Sequence, residues 1–244
     1  MADWFKDWFN TDEYLNVYRH RNEAEAKQLV NLIIESIDLP KDSQVLDLAC
    51  GAGRHSILFA LNGYNVTAVD LSDKLLDVAE KSALENNVKI HFIKSDIRKF
   101  DSDKRFDLVI NLFTSFGYFD NDSENFRLFT LANKLLNPNG FFVLDYLNKL
   151  YTENNLVGES IDKYNHKEII QRRHIENQRV IKNIIIRENG DERSYSESVR
   201  MYSKEELTNA ITASGLVIEN IFGGFDGEKF DEEKSQRIIL IAKK

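Results

Sequence analysis

The sequence predicts an α/β fold: a seven-stranded sheet, parallel where strands and helices alternate and covered by helices on both faces, interrupted after its fifth strand by an inserted antiparallel β-sheet. Three observations predict it. Between residues 45 and 146, short apolar runs alternate with amphipathic segments, the pattern that builds parallel sheets. From about residue 160 to 202 the helical signal fades and β-rich runs take over. After residue 203 a helix and two strands return.

The first 40 residues read as helical. Ala24, Leu29, Ile33, Ile34 and Ile37 share one face at three- and four-residue spacing, and Leu39-Pro40-Lys41-Asp42 ends the stretch. Val45 to Ala49 is the first strand, and Gly51 to Asn62 turns into a helix closed by Gly63. Val66 to Val69 is the second strand. Ser72 caps the next helix, to about Asn86, with Asp73 in its first turn. Val88 to Ile93 and Phe106 to Leu112 are the third and fourth strands, and a helix follows from about Ser123 to Leu136. Asn137-Pro138-Asn139-Gly140 turns the chain into a fifth strand, Phe141 to Tyr146. In the insertion the strand candidates are Glu168 to Ile170, Val180 to Ile186 and Tyr195 to Tyr202, with Asn189-Gly190 as a hairpin signal. Ser203 and Glu206 form a capping-box pattern for a helix that Gly215 stops. Val217 to Phe222 and Arg237 to Ala242 complete the sheet, joined through a long, flexible glycine-rich loop at 223–227. The expected division is residues 1–150 plus 203–244 as the main domain. Residues 151–202 form an inserted β-rich subdomain serving as lid, substrate platform or dimer surface.

Composition narrows the function. The 244 residues are 42% hydrophobic and 30% charged and include 16 Phe, 9 Tyr and 2 Trp, enough for a sizeable core. The net charge of −8 argues against a broad phosphate-tracking surface, though not against a local basic patch. One cysteine, Cys50, excludes a disulfide framework and a cysteine-rich zinc site, and the five histidines lack metal-ligand spacing, so no metal is expected. No apolar run approaches the length of a membrane span, and the acidic, aromatic N-terminus is unlike a secretory leader. The expected compartment is the cytoplasm, which leaves the sequon at Asn121 without meaning.

The strongest motif is Val45-Leu46-Asp47-Leu48-Ala49-Cys50-Gly51-Ala52-Gly53-Arg54-His55. A strand runs into two glycines and then a helix, so the backbone can approach a ligand closely and the helix start offers unpaired N–H groups. A dinucleotide fingerprint would place a third glycine where Ser56 stands. Asp47 would repel a pyrophosphate but suits a cationic amino-acid moiety. Asp70 ends the second strand, 17 residues after Gly53, where a carboxylate can accept both hydroxyls of a ribose; capping the next helix is the competing role. Asp96 can accept from an adenine amino group, with Ile97 packed on the ring. His55 and Cys50 read as structural residues.

These residues resemble the class I S-adenosylmethionine-dependent methyltransferases, whose Rossmann-like sheet has seven strands. The resemblance covers Val45 to Tyr146 and the closing helix and strand pair, with Leu135 to Phe141 similar to the turn into the family's fifth strand. It implies S-adenosyl-L-methionine as cofactor and S-adenosyl-L-homocysteine as product. Asp47 and Gly51 would lie near the methionine part, Asp70 at the ribose, and Asp96 and Ile97 at adenine, with Ala49 and Leu71 also in the donor site. Tyr18, Arg19, Asn111 and Leu112 would complete the donor site. Ala49 departs from the family, where many members have glycine.

A narrower resemblance lies in Tyr14-Leu15-Asn16-Val17-Tyr18-Arg19-His20-Arg21 and Leu112-Phe113-Thr114-Ser115-Phe116-Gly117-Tyr118. These segments are similar to the amino-sugar N,N-dimethyltransferases and to a large set of uncharacterised bacterial methyltransferases. It implies Tyr118 near the acceptor amine. Tyr14 and Tyr18, spaced i, i+4 on a helix, can face one pocket or pack that helix onto the sheet. Tyr14 and Tyr118 are the candidate catalytic residues. Arg19 is placed at the donor carboxylate or the acceptor, His20 on a solvated helix face, and Asp145, Tyr146 and Asn148 along the same cleft. Residues 161–202 carry nine Lys/Arg, among them Arg173 and Lys182, against seven Asp/Glu, suiting an anionic acceptor or an ordinary solvated sheet.

The expected function is in-line methyl transfer to an N or O atom of a small molecule by a monomer or homodimer, with nucleic acid and membrane not expected as partners. An RNA (tRNA) methyltransferase, an NAD(P)-dependent oxidoreductase and a donor-binding protein without turnover are the alternatives.

Overall fold

The computed structural model describes residues 3–19 and 23–244. Its main sheet contains β1 (Gln44–Leu48), β2 (Asn65–Asp70), β3 (Ile90–Lys94), β4 (Phe106–Asn111) and β5 (Leu136–Leu147), all parallel. β10 (Val217–Phe222) and β11 (Arg237–Lys243) complete it in the order β10-β11-β5-β4-β1-β2-β3. The strand count is as expected, and β11 runs antiparallel to both β5 and β10, so the sheet is mixed. β1 lies between β2 and β4, which brings the loops leaving those three strands together at one edge of the sheet, where ligands of open α/β sheets bind.

The central strands are apolar runs because both of their faces are covered. α3 (Glu23–Ser36) and α4 (Arg54–Leu61) cover one side, burying Leu29, Val30, Ile33, Phe59 and Val45. Ala26 is buried on α3 where Ala24 was expected, and Ala24 is exposed. α6 (Asp122–Leu135) and α8 (Lys204–Ala213) cover the other side, where Phe129, Leu135, Leu207 and Ile211 are fully buried. α5 (Asp73–Glu85) starts at Ser72, whose hydroxyl accepts from the Leu75 N–H, and α8 starts in the expected Ser203–Glu206 capping box. β5 begins at Leu136, not Phe141. Its pairing to β4 shifts register between Phe106 and Leu108, so the expected turn at 137–140 is an irregularity within the strand.

After α7 (Lys149–Asn155) the chain forms a separate antiparallel sheet, β6 (Glu159–Tyr164), β7 (Lys167–Glu176), β8 (Arg179–Glu188) and β9 (Asp191–Arg200). Three two-residue turns join these strands: Asn165-His166, Asn177-Gln178 and Asn189-Gly190. Every residue in them has positive φ, the conformation that matches the twist of a hairpin. The short helices α1 (Trp4–Trp8) and α2 (Asp12–Val17) pack Trp8 and Val17 against Ile169, Ile184 and Ile186 of this sheet.

The two sheets meet at the segment after β4. Arg179 donates to the carbonyls of Gly117, Tyr118 and Phe119, and the Tyr146 hydroxyl donates to the Arg200 carbonyl. Gly117 has φ +85°, and a Cβ there would lie 2.8 Å from both the Arg200 carbonyl and the Tyr146 hydroxyl. Gly117→Ala is therefore expected to destabilise the fold by about 1–3 kcal/mol, read as a lowered urea midpoint with an unchanged m-value.

Candidate active site

The loop after β1 is built for close backbone approach. Ala49 has φ +64°, a conformation that favours glycine, and its N–H and that of Cys50 both donate to the Val69 carbonyl, at 2.8 and 3.0 Å. Gly51 also has positive φ, and a Cβ built on it meets no atom within 4 Å, so its α-carbon faces an open cleft. Gly53 is tight for another reason: a Cβ there would lie 2.8 Å from that of Ala79 on α5.

Two carboxylates flank this loop. Asp70 is buried, with one oxygen 2.7 Å from the Gly51 N–H and the other 2.9 Å from that of Ser72. Burial pushes its pKa up against those hydrogen bonds. Asp47 is 2% exposed and accepts from the Ser56 hydroxyl at 2.5 Å. Burial raises its pKa to about 7; the Ser56 hydrogen bond lowers it, and the charge of Asp70 raises it further. Ser56, which occupies the third-glycine position, thus holds the acid instead of opening the loop to a pyrophosphate. Burial pushes the Cys50 thiol up, as do Asp47 and Asp70, which keeps it protonated and in its packing role.

The cleft has two lobes that share Phe9, Tyr14, Ala49, Gly51, Ser115 and Tyr118. The smaller is lined by Asp70, Leu71, Ser95, Asp96 and Ile97. Asp96 is engaged by Arg98 at 3.0 and 2.6 Å; burial raises its pKa, and this pairing outweighs burial to leave it below the usual range. The larger lobe, about 330 Å³, is lined by Asp47, Leu112, Thr114, His55, Tyr18, Arg19 and Glu197. Helix α1 roofs both: the Tyr118 ring lies 5.2 Å from Trp4, 6.2 Å from Phe5 and 5.6 Å from Phe9.

The inserted sheet supplies one wall of the larger lobe. Glu197 of β9 accepts from Trp8 Nε1 and the Tyr18 hydroxyl, each at 2.6 Å, and pairs with Lys182 of β8 at 3.5 Å. Lys182 also donates to the Tyr18 oxygen at 2.6 Å. Arg19 pairs with Asp162 of β6 and lies 4.1 Å over the Tyr164 ring. Tyr118 donates to the Thr114 carbonyl at 2.8 Å.

Of the residues singled out in the sequence, Tyr14, Tyr18, Arg19, Asp47, Ala49, Gly51, Asp70, Leu71, Asp96, Ile97, Leu112 and Tyr118 all line the cleft. Tyr14 lies within α2 and Tyr18 caps it, with ring centroids 4.9 Å apart. Asn111 does not line it. Fully buried, it donates to the Leu48 and Ser115 carbonyls and braces the floor from behind. Asp145, Tyr146 and Asn148 are likewise buried supports. Asp145 accepts from Arg237 at 2.5 Å and from the Phe113 N–H at 2.8 Å, and Arg237 donates to Thr114 Oγ1 at 2.8 Å. This holds Phe113 and Thr114 with φ of +58° and +61° at the rim. His55, expected to be structural, is buried and also borders the larger lobe. His20 lies outside the described residues. Glu197 was missed, because its place depends on the register of β8 and β9 and not on any local motif.

The sheet order, the glycine loop and the acid ending β2 define the class I methyltransferase fold with a second, antiparallel sheet. Residues 45–140 match the family model described as a methyltransferase domain. Over 143 residues the chain is 29% identical to a ubiquinone biosynthesis O-methyltransferase of Rickettsia bellii, covering 58% of each chain. Over 108 residues it is 32% identical to the putative methyltransferase YqeM of Bacillus subtilis, covering 44% of this chain and 43% of that one. The chain thus spans about half the length of these curated relatives. Solved structures match nearly end to end. A Clostridium acetobutylicum S-adenosylmethionine-dependent methyltransferase has a TM-score of 0.81 at 20% identity, covering 95% of this chain and 98% of its own. An amino pentose methyltransferase, CalS10 of Micromonospora echinaspora, has a TM-score of 0.70 at 21% identity, covering 96% and 97%. At these identities the likeness is one of fold. Among the described residues no helix is long and apolar enough to cross a membrane.

Proposed function

We propose that this protein is an S-adenosylmethionine-dependent methyltransferase acting on an N or O atom of a small molecule. The observation that carries this reading is the pairing of Asp70 with the Gly51 loop. A buried carboxylate ends β2, 2.7 Å from a backbone N–H whose α-carbon opens onto the cleft. That arrangement suits a ribose with its two hydroxyls donating to Asp70. The smaller lobe, with Leu71 and Ile97 as apolar walls, suits the adenine. Asp47 stands where an amino-acid ammonium would meet a charge.

When bound, S-adenosylmethionine would supply a methyl group activated by its sulfonium: an acceptor lone pair would bond to the methyl carbon in line as the carbon–sulfur bond breaks, with S-adenosylhomocysteine as leaving group and the acceptor's proton passing to solvent. The work left to the chain is positioning and exclusion of water. The α1 aromatics and the inserted sheet enclose the larger lobe. Tyr118, which donates to Thr114, has lone pairs that can accept an acceptor's N–H or O–H; Tyr14 shares this wall. A cavity of about 330 Å³ bounded this way fits a compact acceptor better than an RNA strand, and the acidic net charge agrees. The names of the relatives, one an O-methyltransferase and another an amino pentose methyltransferase, support both acceptor atoms.

A thermal-shift titration tests the donor half. S-adenosylhomocysteine at a hundredfold excess over its Kd is expected to raise Tm by about 5–10 °C, and NAD at the same concentration by none. Equal shifts, or none with S-adenosylhomocysteine, would refute the reading.

A further inference from the structure

We infer that Arg173 marks an anion subsite on the inserted sheet, which takes the carboxylate or phosphate of the acceptor. Naming the acceptor as its occupant rests on the function proposed above; the subsite itself does not. Arg173 of β7 pairs in register with Lys182 of β8, and Lys182 with Glu197 of β9, so the three lie in one row on the face that meets the cleft. Glu197 borders the larger lobe, and Arg173 borders a neighbouring groove of about 560 Å³. Arg237 separates the two. It lines the groove and donates to Thr114, which lines the lobe.

The groove's charge is unbalanced. Its polar lining includes Tyr151, Ser160, Gln236, Arg173 and Arg237, with no Asp or Glu, in a chain carrying 40 acidic residues. Arg237 is neutralised by the buried Asp145. Among the described residues the oxygens that accept from Arg173 are all neutral: Gln171 Oε1 at 2.9 Å, Ser160 Oγ at 3.1 Å and the Val157 carbonyl at 3.5 Å. No carboxylate of the described residues lies within ion-pair distance of it. A half-buried guanidinium held in place by neutral partners favours a planar or tetrahedral anion that can bond it in bidentate fashion. Two strand spacings separate Arg173 from Glu197, so the anion would sit about 10 Å from the wall of the larger lobe that Glu197 supplies. The acceptor class is therefore a small amine or hydroxyl compound with an anionic tail.

Isothermal titration of the full chain at low ionic strength, with inorganic pyrophosphate in one arm and succinate in the other, tests this. At least one is expected to bind, at least tenfold more weakly to Arg173→Met, with Arg173→Lys intermediate. Pyrophosphate alone would assign a phosphate tail, succinate alone a carboxylate. No binding to the unsubstituted protein, or equal binding to Arg173→Met, would overturn the subsite. S-adenosylhomocysteine titrated into the same samples is expected to bind all three proteins equally. It shows that the variants are folded and tests the donor site separately, since an anion that binds where this ligand fails leaves the subsite standing and removes only its assignment to an acceptor.

Discussion

Asp70→Ala is expected to weaken S-adenosylhomocysteine binding by at least about a hundredfold. Two ribose hydroxyls donating to one carboxylate contribute about 1.5–3 kcal/mol each. Without ligand, Asp70 already accepts from Gly51 and Ser72, so alanine also strands two N–H groups beside the cleft. Asp70→Asn separates these effects. The amide keeps the shape and one acceptor oxygen but turns its NH2 to one of the two N–H groups, so this variant is expected to melt below the unsubstituted protein and above Asp70→Ala, while binding the ligand about tenfold more weakly than the unsubstituted protein. Calorimetric titration of both variants checks the pair. Binding by Asp70→Ala within threefold of the unsubstituted protein would leave Asp70 as no more than a loop brace. The ribose assignment would then fail.

The side of the cleft built from the ends of β1 and β2 was legible because its signals are local. Buried parallel strands must be continuous apolar runs, and the ends of such runs mark where ligand loops begin. Ser72 and Ser203 announce their helices through side chains that cap the backbone nearby. Asn189-Gly190 announces its turn because asparagine and glycine tolerate positive φ. Asn165-His166 and Asn177-Gln178 make turns of the same backbone sign without glycine, so β6 and the full extent of β7 stayed hidden. β6 is also an edge strand that buries none of its residues deeply, which weakens its alternation. The wall supplied by the inserted sheet was less legible for a different reason. Tyr18 meets Glu197 and Lys182 across more than 160 positions, and Lys182 meets Glu197 only through the register of β8 and β9, so nothing in the local sequence around Tyr18 records the other two. Asn111 shows the opposite failure: it stands at the strand end where a ligand contact belongs, and the register turns its amide to the Leu48 carbonyl instead.

Asp47 leads to an effect of comparable size that depends on pH. Its pKa of about 7 lies above the value of about 3.9 for an unfolded chain, so the folded protein holds a proton there that the unfolded chain releases. Stability from this group is full below pH about 4 and is lost as pH rises towards 7, because the charged form is buried without a cation. A ligand ammonium reverses the preference, since it stabilises the carboxylate and expels the proton. S-adenosylhomocysteine is therefore expected to bind about tenfold more weakly at pH 6 than at pH 8, with proton release at pH 6 seen as a dependence of the binding enthalpy on the buffer's ionisation enthalpy. Asp47→Asn removes both halves of the linkage. Its unliganded form is expected to melt higher than the unsubstituted protein at pH 8, and its affinity to drop by about 10–150-fold there with little change down to pH 6. A flat affinity profile in the unsubstituted protein, or a ligand that binds Asp47→Asn normally at pH 8, would show that the ammonium lies elsewhere in the cleft.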